Sequence, residues 1–277
     1  MRAMMDTQGV KALFFDIDGT LLSRRTARIP KSTLYALHAA RAKNILLFAA
    51  TGRHESALRQ LPQWKDLSLD GYVCLNGQHC AYRDKTVFVN PIPRAEMEAF
   101  LRFAEERKCI CQFSGEHVLF SNQTDAAVRQ INETFGVISP PVLPLSHALT
   151  LDVLQIELFS EDTSLLQALD WMPSCKWTRW HPMGVDIFRG DGGKWTGITK
   201  IIEHLGLTAR EIMVFGDHDN DVDMLEHAPF SVALGNGSPA AKAAAKYITR
   251  DIDEDGFYHA VSLLLPQLEL PPVPPTQ

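Results

Sequence analysis

Short apolar runs alternate with segments of helical periodicity at the start of the chain. Apolar runs at residues 11–15, 44–50 and 72–75 predict strands. Apolar residues that recur at helical spacing over 30–43 and 55–61 predict a helix after each of the first two strands. Strands that alternate with helices in this way predict a parallel sheet with helices on both faces.

Residues 82–189 break this alternation and predict an inserted α+β unit of antiparallel character. Its hairpins have polar turn residues at their centres, such as Ser114, Gly115 and Glu116. The elements predicted in and beside this insert are hairpins over 79–89, 110–121 and 176–188, helices over 93–107 and 125–135, and a strand over 153–159.

The alternation of strands and helices returns at Lys194. A helix over 195–205 is expected to end at Gly206, because glycine tolerates the left-handed conformation that closes many helices. Residues 1–81 and 190–277 are therefore predicted to form one discontinuous α/β core. The elements predicted in its second part are strands over 211–215 and 231–234, and helices over 221–228 and 238–246.

Polar side chains follow several of the predicted core strands. Asp16 and Asp18 follow the first strand, Thr51 the second, and Asp217 a later one, while Lys194 begins a helix. The carboxyl ends of parallel strands share one edge of a sheet, where ligands bind, so these groups are expected to meet. Carboxylates suit Mg²⁺, and lysine and hydroxyl donors suit phosphate oxygens. The set predicts phosphoryl transfer, in which positioning and charge neutralisation supply most of the catalysis.

These residues carry a resemblance to a known family. The chain resembles phosphatases of the haloacid dehalogenase (HAD) superfamily, in the Cof-like branch with a type IIB cap. The resemblance implies a Rossmann-like core with a parallel sheet flanked by helices, and an α+β cap inserted between the second and third motifs. The motifs, in the family's order, are residues 16–22 (DIDGTLL), Thr51-Gly52-Arg53, Lys194, and residues 216–221 (GDHDND).

The resemblance also implies roles in catalysis and phosphate binding. Asp16 would be the nucleophile that forms an aspartyl-phosphate. Asp18 would be the general acid for the leaving oxygen and then the base for water. The groups implied to hold the phosphoryl group are Thr51, Gly52, Lys194 and Asn220.

A Mg²⁺ site is implied at the same place. The resemblance assigns its ligands to Asp16, the backbone carbonyl of Asp18, and Asp217, with Asp221 reaching the metal through water. Trp195 stands where this branch commonly has glycine, and would either fill space near the cap junction or narrow the pocket.

The expected function is hydrolysis of small phosphorylated metabolites, either sugar phosphates or nucleotide and vitamin phosphates. Two alternatives stay open at this point. A phosphomutase would use the same residues, and a catalytically silent regulatory protein would bind phosphate and metal without turnover. No motif within 82–189 identifies the leaving group.

Composition narrows the setting of this chemistry. The 277 residues are 45% hydrophobic and 22% charged, and the formal net charge is −6. That charge does not favour nucleic acid or an anionic membrane as a partner. The start of the chain lacks the apolar region of a secretory signal, and the five cysteines fit no zinc spacing. Reduced thiols in a cytoplasmic protein are expected, and the sequence does not indicate the oligomeric state.

Three further features are expected to be structural. The tryptophans Trp171, Trp177, Trp180 and Trp195 are predicted to pack the cap sheet and its junction. The acidic run at 251–256 begins like a calcium-binding EF-hand loop, but Ser262 occupies the position of the bidentate glutamate. The proline-rich residues 271–275 predict a frayed terminus.

Overall fold

The computed structural model describes residues 7–162, 164–167 and 171–271, so residues 272–275 of the proline-rich stretch lie outside the described residues. The strands are β1 (Ala12–Phe15), β2 (Leu46–Ala50), β3 (Gly71–Cys74), β4 (His79–Tyr82), β5 (Lys85–Val89), β6 (Ile110–Ser114), β7 (Leu119–Ser121), β8 (Gln155–Phe159), β9 (Cys175–His181), β10 (Gly184–Arg189), β11 (Ile212–Gly216), β12 (Ser231–Ala233) and β13 (Tyr247–Ile248). The helices are α1 (Lys31–Ala42), α2 (Glu55–Leu58), α3 (Trp64–Leu67), α4 (Arg94–Glu106), α5 (Ala126–Thr134), α6 (Ser164–Gln167), α7 (Lys194–Leu205), α8 (Val222–His227), α9 (Pro239–Ala244) and α10 (Gly256–Leu264).

Eight strands form the larger sheet, in the order β13-β12-β11-β1-β2-β3-β4-β5. The six strands from β13 to β3 are parallel, and β4 and β5 extend the edge in antiparallel fashion. The predicted α/β fold class with a parallel sheet is therefore confirmed.

Alternate residues of the central strands enter two separate hydrophobic cores, because successive side chains of a strand point to opposite faces. On β1, Leu13 and Phe15 pack with helices α1 and α10, while Ala12 and Phe14 pack with α7, α8 and α9. All four β1 residues are buried. Burial on both faces explains why the central strands are apolar runs rather than alternating sequences.

Five antiparallel strands form the smaller sheet, in the order β7-β6-β8-β10-β9. One face of this sheet packs against α4 through residues such as Phe100, Phe113 and Ile156. The insert predicted over 82–189 includes most of the 79–89 hairpin, whereas β5 of that hairpin pairs with β4 in the larger sheet. A 3₁₀ turn at Leu75–Gly77 folds β4 directly back onto β3, so the hairpin continues the core edge. The division into a core of 1–81 and 190–277 and a cap of 82–189 stays a prediction.

Other predicted elements differ in length or were not foreseen. The helix predicted over 55–61 ends at Leu58, and Pro62 disfavours helical geometry at the residue before it. Helix α10 was not predicted, although it follows the acidic run at 251–256 and buries Phe257 in the core. All five cysteines, each within the described residues, are free thiols as expected. Among the described residues, no helix combines the length and the apolar character that a membrane crossing requires.

The tryptophans differ in their surroundings. Trp171 packs on Phe103 in the smaller sheet's core, with ring centroids 5.7 Å apart. Trp195 stacks on His227 of helix α8 and fills space there, so its ring does not narrow the pocket. Trp177 is 46% exposed, contrary to the expectation that it packs the sheet.

Candidate active site

Three neighbouring parallel strands of the larger sheet end at polar side chains. Strand β1 lies between β2 and β11, and all three run in the same direction. Asp16 follows β1, Thr51 follows β2 and Asp217 follows β11, so the sheet brings together residues from distant parts of the sequence. The strand-end side chains therefore lie at one edge, as the sequence pattern predicts.

Carboxylate oxygens of Asp16, Asp217 and Asp221 lie within 4.8 Å of one another, and all three residues are buried. The Lys194 ammonium lies among them, with Nζ 2.7 Å from Oδ1 of Asp16 and 2.5 Å from Oδ1 of Asp221. Lys194 has no exposed surface. Three carboxylates and one ammonium leave a formal excess of two negative charges in a buried space.

That excess fits a divalent cation. Burial raises the pKa of Asp16 to about 7, although the Lys194 ammonium lowers it while Asp221 and Asp18 raise it. Burial raises the pKa of Asp217 to about 8, and the charges of Asp16 and Asp221 raise it further. Carboxylates that resist ionisation in this way need a cation beside them. An all-oxygen donor set of this kind suits Mg²⁺, so the residues present fit the implied metal.

The backbone fixes Asp221 and Lys194 in place. Oδ2 of Asp221 accepts hydrogen bonds from the backbone N–H groups of Asp217 and His218, at 2.8 and 2.9 Å. Lys194 is the first residue of α7, and Gly77 contacts the turn before it so closely that a Cβ there would lie 1.8 Å from the Gly193 carbonyl oxygen. The Asn76-Gly77 turn therefore sets how near α7, and with it Lys194, approaches the strand ends.

Gly19 allows a second close approach. Its φ of +99° lies in the region that favours glycine, and a Cβ there would lie 2.3 Å from Oδ2 of Asp217. The neighbouring Thr20 donates a hydrogen bond from Oγ1 to Oδ1 of Asp217, at 2.8 Å. The Gly-Thr pair of the first motif thus holds the carboxylate of the fourth.

Asp18 lies apart from the carboxylate cluster and is partly exposed. Its two oxygens accept hydrogen bonds from Nε and Nη2 of Arg53, at 2.6 and 2.7 Å. Nη2 of Arg53 also donates to the backbone carbonyl of Phe135, at 2.9 Å. Because Phe135 follows α5 in the inserted segment, Arg53 joins Asp18 to the part of the chain that covers the strand ends.

The remaining predicted phosphate-binding residues line the same pocket and connect to a polar network. Thr51, Gly52 and Asn220 all line it. Nδ2 of Asn220 donates to Oδ1 of Asn76 at 3.0 Å, and Gly52 accepts through its carbonyl from Nε2 of Gln155 at 3.2 Å. Asp16 and Asp18 also line this pocket, whereas Lys194 lies behind Asp16, away from it.

Two residues of this site received no role from the sequence. Arg53 belongs to the Thr51-Gly52-Arg53 motif, but the sequence assigned it no function. The feature that could have indicated one is its position two residues after Thr51, at the end of a strand. Asn76 lies in the left-handed conformation, with φ of 52°, and bonds to Asn220 in the 3₁₀ turn that follows β11 and to Asp186 of the smaller sheet. Its only sequence signal was the Asn76-Gly77 pair, which is typical of any tight turn.

Comparison with known sequences agrees with this geometry. A sequence profile of the haloacid dehalogenase-like hydrolases matches residues 13–261, which cover both sheets and every strand-end residue described above. The chain belongs to this family.

Relatives in the family include named phosphatases. The pyridoxal phosphate phosphatase YbhA of Escherichia coli is 29% identical over 265 residues, covering 89% of this chain and 96% of the relative. A solved structure of a sugar phosphatase of HAD subclass IIB is 38% identical, with a TM-score of 0.83, covering 91% of this chain and 98% of the other. The chain spans 57% of a longer Streptococcus pyogenes protein, to which it is 31% identical over 272 residues. These matches identify the chain as a HAD-family phosphatase.

Proposed function

We propose that the protein is a Mg²⁺-dependent phosphatase that hydrolyses small phosphorylated metabolites through a phosphorylated Asp16. The observation that supports this most strongly is the placement of Asp16 at the end of β1, between the Lys194 ammonium and two further buried carboxylates. The free thiols support the expected cytoplasmic location, where disulfides are rare.

In this proposal Asp16 attacks phosphorus and displaces the leaving oxygen. Lys194 favours the ionised form of the Asp16 carboxylate against the effect of burial, and holds it by the 2.7 Å contact to Oδ1. Bound Mg²⁺ would supply positive charge that offsets repulsion between carboxylate and phosphate. Asp16, Asp217 and Asp221 would hold it, together with the backbone carbonyl of Asp18.

Asp18 supplies and removes the proton. It lies on the pocket side of Asp16, where it would protonate the leaving oxygen and then take a proton from the water that hydrolyses the aspartyl-phosphate. Arg53 orients both oxygens of this carboxylate through its forked contact. Thr51, Gly52 and Asn220 line the pocket, and we assign them to the phosphoryl oxygens.

Release of phosphate from p-nitrophenyl phosphate tests the proposal. We expect turnover with Mg²⁺, and losses of at least about a thousandfold with EDTA or in Asp16→Asn. The exposed Asp66→Asn serves as the matched control and should retain wild-type rates. Activity that survives both EDTA and Asp16→Asn would exclude this mechanism.

The same assay series separates the two alternatives. A phosphomutase would convert a sugar monophosphate, primed by a catalytic amount of bisphosphate, into its positional isomer. A silent regulatory protein would bind inorganic phosphate and Mg²⁺ without turnover across a broad panel of phosphate esters.

A further inference from the structure

We propose that Glu157 and Gln112 of the smaller sheet bind hydroxyl groups of an uncharged, polyhydroxylated leaving group, and that Glu157 rejects a leaving group that carries a carboxylate or a second phosphate. This inference rests on the proposed phosphatase function and assigns the part of the pocket opposite Asp16 and Asp18. No sequence motif indicated either residue.

The two residues belong to a row of polar side chains that crosses the smaller sheet. Glu157 on β8 pairs with Gln112 on β6 and with Asp186 on β10. Paired residues of adjacent strands place their side chains on the same face. All three line the pocket that contains Asp16 and Asp18, so this face of the sheet is the wall opposite the strand ends.

The hydrophobic core of the smaller sheet lies on its other face. The neighbours of Glu157 along β8, Ile156 and Leu158, are buried there with α4. A strand in a packed sheet loses stability when it places an unpaired carboxylate in an enclosed space. Part of the face that bears the polar row is covered by α5, because Phe159 packs there with Val128 and Ile131. The polar row therefore marks the part of this face that is open to the pocket.

Asp186 has a hydrogen-bond partner within the protein, whereas side-chain oxygens of Glu157 and Gln112 remain free to accept hydrogen bonds from a ligand. Asp186 accepts a hydrogen bond from Nδ2 of Asn76 at 2.8 Å, which ties it to the larger sheet. Among the described residues, the Glu157 carboxylate has no hydrogen-bond donor, and Oε1 of Gln112 has none either, although Gln112 is only 2% exposed. Burial raises the pKa of Glu157 to about 7, against the opposing effect of the Arg53 guanidinium. These unsatisfied acceptors match O–H donors on a ligand.

The charges of the pocket favour a neutral leaving group. The pocket is lined by the carboxylates of Asp16, Asp18, Glu157 and Asp186 but by only two guanidinium groups. Arg53 binds Asp18 through Nε and Nη2, while its buried Nη1 has no hydrogen-bond partner among the described residues, and Arg24 lies 3.7 Å from Asp217. Like charges placed together in an enclosed site disfavour binding strongly. A carboxylate or phosphate on the leaving group would lie against Glu157, and the Arg53 guanidinium, which already faces Asp18, offsets only part of the negative charge there.

Apolar rings complete the site. Trp180 and Phe135 contact each other edge to face, with centroids 5.3 Å apart, and both line the pocket beside the polar row. A sugar or polyol presents both hydroxyls and C–H surface, so it matches acceptors and rings together. A flat, purely aromatic leaving group would leave the acceptors of Glu157 and Gln112 unpaired.

Matched pairs of substrates test the inference. Aldose phosphates of four, five and six carbons are compared with the aldonate phosphates of equal length, in which a carboxylate replaces the aldehyde or hemiacetal carbon. We measure kcat/KM from phosphate release with Mg²⁺ at pH 8, above the pKa of Glu157. Wild type should prefer the aldose of its best pair by at least about tenfold, since tenfold corresponds to only about 1.4 kcal/mol.

Variants at position 157 separate charge from shape. Glu157→Gln should reduce the preference to within about threefold, whereas Glu157→Asp should keep it because the charge remains. Glu161→Gln removes an exposed carboxylate just beyond β8 and should leave the preference unchanged. Equal rates on aldose and aldonate in wild type, or an unchanged preference in Glu157→Gln, would overturn the inference. Turnover of p-nitrophenyl phosphate without that preference refutes the inference alone, whereas no turnover of any ester refutes the phosphatase proposal with it.

Discussion

Removal of the Lys194 charge tests the electrostatic balance of the site most sharply. Lys194→Met keeps the length and most of the volume of the side chain but removes its ammonium. Nζ lies 2.7 Å from Asp16 and 2.5 Å from Asp221, and the side chain has no exposed surface. The variant therefore leaves the buried carboxylates without their internal counter-charge.

The expected loss of stability depends on pH. Breaking a buried ion pair costs about 3–5 kcal/mol when the remaining charge has no partner. Protonation relieves part of this cost. The folded pKa of Asp16 is raised to about 7, above its unfolded value, so below pH 7 the folded wild type already holds this proton. Loss of Lys194 raises that pKa further, because the ammonium lowers it, and the folded variant retains the proton above pH 7.

Above pH 7 the folded variant therefore holds a proton that folded wild type has released. The unfolded states of both proteins have released it as well. The variant's free energy of unfolding falls by about 1.4 kcal/mol more per pH unit, or about 2 kcal/mol between pH 7 and 8.5. Equilibrium urea unfolding with EDTA should give losses of about 3–5 kcal/mol at pH 8.5 and about 1–3 kcal/mol at pH 6. Lys200→Met on the same helix removes a lysine whose side chain is 42% exposed, and should lower the free energy of unfolding by less than about 0.5 kcal/mol at either pH. An equal loss for Lys194→Met at both pH values would refute the reasoning.

Three further outcomes are expected. Mg²⁺ at a hundred times its dissociation constant should stabilise wild type by about 2.7 kcal/mol in a thermal melt, and the same shift in Asp217→Asn would contradict the assignment of the metal site. Burial lowers the pKa of His79 to about 4, so stability falls as pH drops below its unfolded value of about 6.5. Between pH 7 and 5 the free energy of unfolding, measured with urea, should therefore fall by about 2 kcal/mol less in His79→Leu than in wild type. An equal fall in both proteins would contradict the assignment of this pH dependence to His79. Arg53→Lys loses the forked contact to Asp18 and should lower kcat on p-nitrophenyl phosphate by about tenfold, whereas unchanged kcat would show that this contact is not needed.

The grouping of polar residues at the strand ends could be predicted from sequence. Each strand is recognised from a local apolar run, and the parallel topology places the ends of the strands together. Each apolar run before Asp16, Thr51 and Asp217 indicates a buried strand, and parallel strands necessarily end at one edge. Lys194 could be placed with them because it begins a helix of the core, but the distance from its ammonium to Asp16 could not be predicted. Its proximity depends on how closely α7 approaches the turn at Gly77, which no periodicity encodes.

The wall opposite the strand ends could not be predicted in the same way. Glu157 and Gln112 become neighbours through the register of β6 on β8, which the sequences of the two strands do not specify on their own. The 79–89 hairpin has the same alternation whether it joins the larger or the smaller sheet, so its membership needed the three-dimensional pairing. Asn76 likewise acquires its three partners only when both sheets are in place.

The phosphorylation of Asp16 is the central claim, and chemical trapping tests it directly. Borohydride reduces an aspartyl-phosphate to homoserine, so enzyme quenched during turnover of p-nitrophenyl phosphate with Mg²⁺ is reduced, digested and sequenced by mass spectrometry. We predict homoserine at position 16, none without substrate, and a greater yield in Asp18→Asn, in which the second step lacks its base. Rapid turnover with no homoserine at position 16, or with the modification at another carboxylate, would contradict the account.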